Sequence, residues 1–581
     1  MKELNIEGLF SVMDLMGEYN IALSQEETRI RLCDEDMAFT CTRGGQWSSF
    51  TENSSVDSRI RYELNIILAI VNQAYGLISR EKLDIKIEAT GVSNKLVGDL
   101  LDKHNHLLRK YLYTSDFQDV KNQALKEALI CGIGAWEVVL KRKITHDKEI
   151  YTELAYKYLD SAYKRVFWSG EGDCEKASTV FVVNTISKSD FIGRYGKVTS
   201  SISLPHSFGI LSRAESRSIP ARSVVNIDYL VIYKRIKLYY SINKKGSLKY
   251  LGLRVPKFLK SQIIDKDVIY RLVTDGNSLL EPPELIPGDI MPVVVLNCYK
   301  ARPQGSEHSW GVASFTKDAQ RLYNSSISLY SENMALSSRD FLVMTPEQVA
   351  DREEEYRNLY AHNKSILIVK DVERKSGQLL ERLPATVSAE KVLSLAQEAK
   401  NVILQISGQF GGMIRETIGD DTESGRALAI KQTISDLGKM EPYQHLLSSL
   451  GNTAKISMAF LRTMYKENED ILIKSPDGTL ESVSFSYLAN PEDFNIASVV
   501  SESFTSLKDK DNTVLRDLMV ADPSLFPIMG DIYLKTLDLS VPIKDELVSR
   551  HEKTFPSTPA QGPPGFSQGE ELTPAVSEEP V

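Results

Sequence analysis

The spacing of apolar residues along the chain predicts a mixture of helices and strands. Ser58–Arg80 has a broad apolar face at helical spacing, with Ser58 as a candidate N-cap. Ser187–Tyr195 is typical of a helix capped by Ser187, with Asp190 in the position of a capping box. Residues 1–57 predict a short helix followed by polar loops. The other predicted helices are Val97–Leu112, Asp116–Cys131, Ser388–Gly408, Arg426–Tyr465, 502–519 and 527–550, and the other predicted strands are Lys82–Glu88, Gly132–Leu140, Arg165–Trp168, Thr179–Val183, Phe341–Met344, Ser365–Lys370 and 471–487.

One long helix is predicted within Gly311–Ser338, and it carries few large apolar residues. Phe315, Leu322 and Leu329 lie at helical spacing, with charged residues, amides and serines between them. About 24 helical residues would span roughly 36 Å. A core helix would be more apolar, and an isolated surface helix would not need this length. We therefore expect neighbouring copies of the helix to cover its sides in an oligomeric ring or bundle.

Two further regions differ in composition from the rest. Residues 222–300 are rich in predicted strands, with turns at Lys244–Gly246 and Asp275–Gly276, and predict a compact β-rich insertion. Residues 553–581 combine six prolines with serine, glycine and glutamate, a composition that predicts a disordered tail.

Length and charge narrow the possible classes of protein. A chain of 581 residues is expected to form several domains. Its net charge of −9 argues against a broad nucleic-acid-binding surface, because such surfaces are normally basic. No apolar run approaches the roughly 20 residues of a membrane helix, and the N-terminus lacks the pattern of a signal peptide. We therefore expect no membrane partner and a cytosolic protein at synthesis.

The sequence offers few candidates for cofactor or metal chemistry. Its five cysteines are scattered without a CxxC pair, which favours reduced and mostly buried thiols. It has no P-loop, HExxH, GxSxG or Rossmann glycine pattern in a fitting context. His104 and His106 would point to different faces of a helix. Gly411-Gly412 and Asp420-Asp421 are typical of a helix break and a solvated turn, so no cofactor and no metal are expected.

A basic patch stands out within the β-rich region. Residues 234–260 contain nine lysines and arginines and no Asp or Glu, interleaved with aromatic residues. Such a patch is compatible with docking of an acidic protein partner, with contact to a nucleic-acid backbone, or with a solvated hairpin of no function. The candidate docking residues are Lys234, Arg235, Lys237, Lys244, Lys245, Lys249 and Arg254.

Lys317-Asp-Ala-Gln-Arg-Leu-Tyr-Asn324, preceded by Gly311-Val312, resembles the KDxQRLxN signature of portal proteins from short-tailed phages. These proteins are the head-to-tail connectors of the podovirus type. Weaker resemblances follow in the order of the family, at Asn72-Gln73, at Gly132-x-Gly-x-Trp136 and at Ser424–Ala427. The chain departs from the family at Phe167–Ser169, where Asp-Pro is common, and we expect it to lack the long C-terminal helical barrel of some members.

The resemblance implies an α+β portal fold that assembles as a ring. The implied divisions are a wing at 1–200 and 339–400, a first stem segment at 201–221, a β-rich clip at 222–310, a second stem helix at 311–338, a channel helix end and tunnel loop at 401–425, a helical crown region at 426–552, and the tail at 553–581.

The function implied by the resemblance is not enzymatic. The ring, usually a dodecamer, would sit at the capsid vertex of the virion after assembly in the host cytoplasm, and double-stranded DNA would be packaged and ejected through it. It would nucleate procapsid assembly. The implied partners are the large terminase subunit, a tail adaptor (head-completion) protein, and the major capsid and scaffolding proteins.

Four residues are candidates for contact with DNA in the channel: Lys317, Arg321, Gly411 and Gly412. For Arg321, pairing with an acidic neighbour across a subunit interface is an equal alternative.

Two other classes of function stay open at this point. A metal-dependent nuclease or nucleotidyltransferase of phage origin would need clustered carboxylates, for which Asp420, Asp421 and Glu423 are the candidates. A generic cytosolic scaffold protein would use the basic patch to dock acidic partners.

Overall fold

A computed structural model provides the structure of the chain. It describes residues 10–47, 61–80, 83–90, 105, 107–108, 110–112, 117–144, 150–170, 172–196, 226–242, 248–252, 263–301, 308–337, 341–344, 366–368, 381–383, 389–408, 440–465, 470–474, 480–484, 495–502, 514–521, 530, 533–534, 547 and 550–551. The chain divides into two compact units: Met1–Glu81, Ile85–Ile473 and Ser482–Ser501 form the first, and Lys82–Asp84, Lys474–Glu481 and Glu502–Val581 the second. All of the features analysed below belong to the first unit. In the second, residues 514–521 are helical.

Helices and strands alternate along the described residues, in agreement with the predicted α+β class. The helices are α1 (Val12–Cys41), α2 (Ile66–Arg80), α3 (Phe117–Cys131), α4 (Ala162–Arg165), α5 (Lys188–Tyr195), α6 (Val312–Ser337), α7 (Ala389–Ile406) and α8 (Met440–Met464). The strands are β1 (Leu83–Thr90), β2 (Ile133–Ile144), β3 (Ile150–Tyr158), β4 (Val166–Ser169), β5 (Thr179–Ser187), β6 (Asn226–Ile242), β7 (Leu248–Gly252), β8 (Ile263–Thr274), β9 (Leu279–Ile286), β10 (Val293–Asn297), β11 (Tyr299–Ala301), β12 (His308–Trp310), β13 (Phe341–Met344), β14 (Ile366–Ile368), β15 (Glu381–Leu383), β16 (Asp470–Lys474), β17 (Leu480–Ser484) and β18 (Asn495–Glu502).

The N-terminal helix is much longer than the sequence pattern predicts. The short helix followed by loops proves to be the 30-residue helix α1, capped by Ser11, whose side chain accepts from the Asp14 N–H. The prediction failed because the buried face of α1 includes the carboxylates Asp34 and Asp36, which a search for apolar periodicity treats as solvent-facing. Residues 48–57 lie outside the described residues.

The predicted helix at 58–80 is confirmed from residue 66 onward, but its start is different. Residues 61–65 are not helical, and the Asn65 side chain accepts from the Leu68 N–H at 3.0 Å. Asn65 is therefore the N-cap, and the predicted cap Ser58 lies outside the described residues. Residues 61–65, which we call the strap, are therefore not part of α2, and their backbone groups are available for contacts with other elements.

A six-stranded sheet forms the largest β-structure of the described residues. Its order is β4-β5-β6-β8-β9, with β7 added to the distal half of β6. The register between β5 and β6 runs from Thr179↔Lys234 to Ser187↔Asn226. The predicted β-rich region therefore continues the sheet that begins at Val166 rather than standing apart from it. Its boundary at 222 stays a prediction, since residues 197–225 are not described.

A second sheet, β10-β2-β3, is held to α8 by a polar seam. Five side chains of α8, each four residues from the next, bond to this sheet and to the residues that follow β10. Trp136, which is fully buried, donates through Nε1 to Thr453, and Tyr156 bonds Ser457. The other contacts are Ser449 Oγ to the Val295 carbonyl, His445 Nδ1–H to the Cys298 carbonyl, and the Lys300 N–H to Glu441.

Two glycines allow the backbone at the end of α3 to lie very close to the backbone at the start of α6. Gly132 has φ +97°, and a Cβ there would lie 2.5 Å from the Cα of Trp310. A Cβ on Gly311 would lie 2.2 Å from the Ile130 carbonyl oxygen. Any side chain at either position would force the two backbones apart, so the GxGxW and Gly-Val elements mark one contact between distant segments.

The cysteines agree with the expectation of reduced and mostly buried thiols. All five are free, and only Cys41 is exposed. Burial raises the pKa of the Cys298 thiol beyond its ordinary range. Among the helices that the structure describes, none is long and apolar enough to cross a membrane.

Glu127 is a carboxylate buried in the core. It is 3 % exposed and accepts from the Tyr158 hydroxyl at 2.5 Å and the Ala162 N–H at 2.7 Å, which ties α3 to β3 and to the start of α4. Burial raises its pKa from 4.5 to about 7, although both hydrogen bonds act in the opposite direction. The folded state therefore holds a proton between these two values that the unfolded state has lost.

This shift predicts a pH-dependent stability. A raised carboxyl pKa stabilises the fold at low pH, and that stability is lost as the pH rises from about 4.5 to about 7, on the order of 3 kcal/mol. Glu127→Gln, which keeps the shape but cannot ionise, should remove this part of the pH dependence. The urea midpoint at pH 5 and pH 8 measures it, with Asp119→Asn on the exposed side of α3 as control. Identical pH profiles of wild type and Glu127→Gln would contradict the assignment.

Candidate functional site

The residues of the signature lie on the inner face of α6. Lys317, Gln320 and Asn324 are 8 %, 0 % and 1 % exposed, so none of them belongs to a solvated helix surface. At about 100° per residue they occupy one side of the helix together with Arg321. The helix predicted within Gly311–Ser338 is confirmed as Val312–Ser337, and its polar character is explained first by contacts within the chain.

The charged half of this face binds α1. Lys317 Nζ lies 2.7 Å from Asp36 Oδ1 and 3.4 Å from Glu35 Oε2. Arg321 pairs with Glu35 at 2.9 Å, and its guanidinium lies 5.2 Å from the centre of the Phe39 ring. Consecutive carboxylates of α1 thus meet two cations one helical turn apart on α6.

The pKa values of Asp36 and Glu35 shift in opposite directions, because Asp36 is more deeply buried. Desolvation raises the pKa of Asp36 in spite of the nearby Lys317 charge, and the Ser314 hydroxyl also donates to it at 2.5 Å. For Glu35, which is partly exposed, desolvation raises the pKa less than Lys317 and Arg321 lower it, and the net pKa is below the ordinary value. Asp36 therefore depends on Lys317 to remain charged, whereas Glu35 is stabilised by two cations.

The uncharged half of the face binds the strap 61–65 and the first residue of α2 through a ladder of side chains. The Ile66 N–H donates to Gln320 at 3.2 Å, the Leu64 N–H to Asn324 at 3.2 Å, and the Tyr62 N–H to Ser328 at 3.0 Å. Gln320 also donates to the Leu64 carbonyl at 2.6 Å.

The spacing of this ladder follows from helix and strand geometry. Four residues of a helix rise about 6.0 Å, and two residues of an extended chain about 6.6 Å. Helix positions i, i+4 and i+8 can therefore meet alternate residues of an extended segment. The Asn324 amide completes the arrangement by donating to Gln46 Oε1 at 2.6 Å.

The opposite side of α6 carries an exposed apolar stripe. Phe315, Leu322 and Leu329 are 59 %, 42 % and 46 % exposed and lie seven residues apart. Trp310 meets the Phe315 ring edge-on at 5.4 Å and stacks with Tyr299. We call Phe315, Leu322 and Leu329 the outer stripe. It is an apolar part of α6 that the described residues of the same subunit leave exposed.

The first three cations of the basic patch are already paired. Lys234 lies 2.6 Å from Glu18, Arg235 3.3 Å from Asp267, and Lys237 3.3 Å from Asp265. The sequence window missed these partners because they lie outside residues 234–260: β8 pairs with β6 in antiparallel register, and Glu18 belongs to α1. The patch is less positive than its sequence indicates.

The other predicted site residues are only partly accounted for. Lys249 lies in β7, although its side chain is outside the description, and Lys244, Lys245, Arg254, Gly411 and Gly412 lie outside the described residues. The same holds for Asp420, Asp421 and Glu423. Within the described residues, no group of three His, Cys, Asp or Glu side chains could hold a metal ion. DNA contact by Lys317 and Arg321 stays a prediction.

Sequence reasoning missed the partners of the signature. Glu35, Asp36 and Gln46 receive its side chains, and all three lie in the region predicted as loops. The acidic triplet Asp34-Glu35-Asp36 was the available signal: Asp34 pairs with Lys164 at 2.6 Å, so each member of the triplet meets a cation.

The comparison with protein families identifies the class of protein to which this chain belongs. The model of the phage P22-like portal protein family matches residues 16–579, which is nearly the whole chain. The chain belongs to that family.

A curated relative agrees with this assignment. A portal protein of Acyrthosiphon pisum secondary endosymbiont phage 1 is 20 % identical over 564 residues, covering 87 % of this chain and 75 % of the relative. The resemblance carried by Lys317–Asn324 is thus confirmed, and the chain has a phage portal role, with a location in the viral capsid.

The amide ladder predicts a large cost for Asn324→Ala. The change leaves the part-buried Leu64 N–H and the buried Gln46 without their partner, which should lower the free energy of unfolding by roughly 2 kcal/mol. Urea unfolding followed by circular dichroism measures it. The exposed neighbour Ser325→Ala should stay within about 0.5 kcal/mol of wild type. Equal effects of the two substitutions would show that the ladder contributes nothing.

Proposed function

We propose that the chain forms a ring, a dodecamer by its resemblance, through which double-stranded DNA enters and leaves the capsid. The observation that carries this proposal is the outer stripe: α6 is closed on its inner face by its own subunit and leaves three large apolar residues in one line. Exposed apolar lines of this kind mark contacts with other proteins. Family membership supports a second copy as that partner.

A ring requires contact between two different surfaces of identical subunits. A head-to-tail contact closes into a ring when its rotation divides a full turn. The outer stripe of one copy would therefore meet another surface of the next copy. Phe315, Leu322 and Leu329, seven residues apart, form a narrow seam that suits an adjacent helix.

The negative net charge of the chain suits a channel that does not bind DNA tightly. Twelve copies at −9 each would carry about −108. A predominantly negative channel would repel DNA phosphates, so that the duplex slides rather than adheres. In this proposal the protein acts without an enzymatic reaction of its own.

The division of the chain into portal regions belongs to the same proposal. Residues 1–200 and 339–400 would form the wing, 201–221 and 311–338 the stem, and 222–310 the clip, with a tunnel loop within 401–425 and a crown within 426–552. The sheet that joins β5 to β6 would then run from wing into clip as one stiff element.

Docking of other proteins would fall to the distal end of the clip. The proposed docking residues are Lys244, Lys245, Lys249 and Arg254, while Lys234, Arg235 and Lys237 have acidic partners in their own chain. The large terminase subunit during filling and a tail adaptor afterwards are the proposed occupants. Major capsid and scaffolding proteins would meet the ring during assembly in the host cytoplasm.

Substitution in the outer stripe tests the ring. Leu322→Asp combined with Leu329→Asp should abolish ring formation, because both carboxylates would be buried between copies. The subunit should still fold, since both positions are exposed within it. Light scattering after gel filtration, together with negative-stain electron microscopy, measures the outcome. Ile192→Asp, a similarly exposed residue on α5, is the control, and rings of normal yield from the double variant would refute the proposed seam.

Charge reversal tests the docking surface. Replacing Lys244, Lys245 and Lys249 with Glu should weaken binding of terminase and adaptor while rings still form, since these residues would face the partners. Pull-down at two salt concentrations measures it. Replacing the exposed Lys188, Lys391 and Lys400 with Glu makes the same change in net charge elsewhere and should leave binding unchanged. Loss of rings in the first variant would instead assign the patch to the ring itself.

A further inference from the structure

The ion pair between Lys317 and Asp36 is almost closed to solvent. The side chains are 10 % and 2 % exposed, and the two atoms lie 2.7 Å apart. It joins the N-terminal part of α6 to α1, and the Arg321–Glu35 pair follows one turn later. The outer stripe lies on the other side of α6, so its orientation depends on how α6 is seated on α1 and on α7, which packs along α6.

We propose that Lys317 is a positioning residue: its pair with Asp36 seats α6 on α1 and thereby presents the outer stripe to the next subunit. This inference rests on the ring proposed above. It gives Lys317 a role within its own chain, in place of contact with DNA.

The surroundings of Lys317 are unfavourable for a phosphate. Its Nζ lies between Asp36 and Glu35, at 2.7 and 3.4 Å, and a phosphate oxygen would have to displace at least one of them. The cluster contains three carboxylates and two cations, which leaves a net charge of −1; its members are Glu35, Asp36, Asp318, Lys317 and Arg321. An anion would be repelled rather than attracted.

The buried pair also makes the fold sensitive to the loss of the Lys317 charge. Removing one member of a buried ion pair leaves an uncompensated charge, whereas replacing both members with neutral groups of similar shape is often tolerated. Glu35 cannot substitute for Asp36, because it already serves Arg321 and is 45 % exposed. The two kinds of change therefore separate a positioning role from a DNA-binding role.

The experiment compares Lys317→Met, Asp36→Asn and the double variant Lys317→Met/Asp36→Asn with wild type. Lys317→Met should lower the melting temperature and reduce the yield of rings at least tenfold. The double variant should recover both, since no buried charge remains. Lys391→Met, at an exposed lysine of α7, should behave as wild type throughout.

Particles assembled with the double variant provide the second readout. They should fill with DNA to the same extent as wild-type particles. The proposal is overturned if Lys317→Met forms rings at normal yield, if the double variant is as defective as Lys317→Met, or if its rings assemble but fail to admit DNA. If wild type itself forms no rings, the ring proposal fails, and recovery of the melting temperature in the double variant still decides the pairing of Lys317 with Asp36.

Discussion

A long helix can offer apolar residues to a neighbour only if its other side is firmly held, and here polar contacts hold the inner face of α6 while α7 packs along it. Lys317 and Arg321 meet Glu35 and Asp36, while Gln320, Asn324 and Ser328 bind the strap 61–65 and the start of α2. Polar contacts of this kind fix one register, because a shifted helix would leave buried donors and charges without partners. An apolar inner face would have held α6 less specifically.

The same device recurs on α8, where polar side chains at four-residue intervals meet the sheet β10-β2-β3 and the residues after β10. On both helices, hydrogen bonds of hydroxyl and amide groups add to the packing of the helix, which on α8 includes the buried Leu446, Leu450 and Leu461. The pattern accounts for the high serine and threonine content of both helices, which counts against a helix if only apolar periodicity is considered.

Much of the fold could be predicted from local patterns. The Ser187 cap, the long helix after Gly311 and the strand after Gly132 are as predicted, because each depends on residues close in sequence. The length of α1 could not be predicted, since its buried carboxylates acquire their meaning only from Lys164 and Lys317, far along the chain. For the same reason, the signature identified the family while the roles of its side chains stayed hidden. Pairing of Lys234, Arg235 and Lys237 with α1 and β8 was equally inaccessible to a window of neighbouring residues.

The ladder on α6 also constrains how this chain can vary in length. Inserting or deleting one residue between Lys317 and Ser328 would rotate everything beyond it by about 100°, which would carry Leu322 or Leu329 inward and turn Asn324 toward the neighbouring space. Because two residues of the strap match four residues of α6, a change of one residue in α6 would require a change of half a residue in the strap, which is impossible. We therefore expect the span from Lys317 to Ser328 to tolerate no change of length, in contrast to the hairpins and loops.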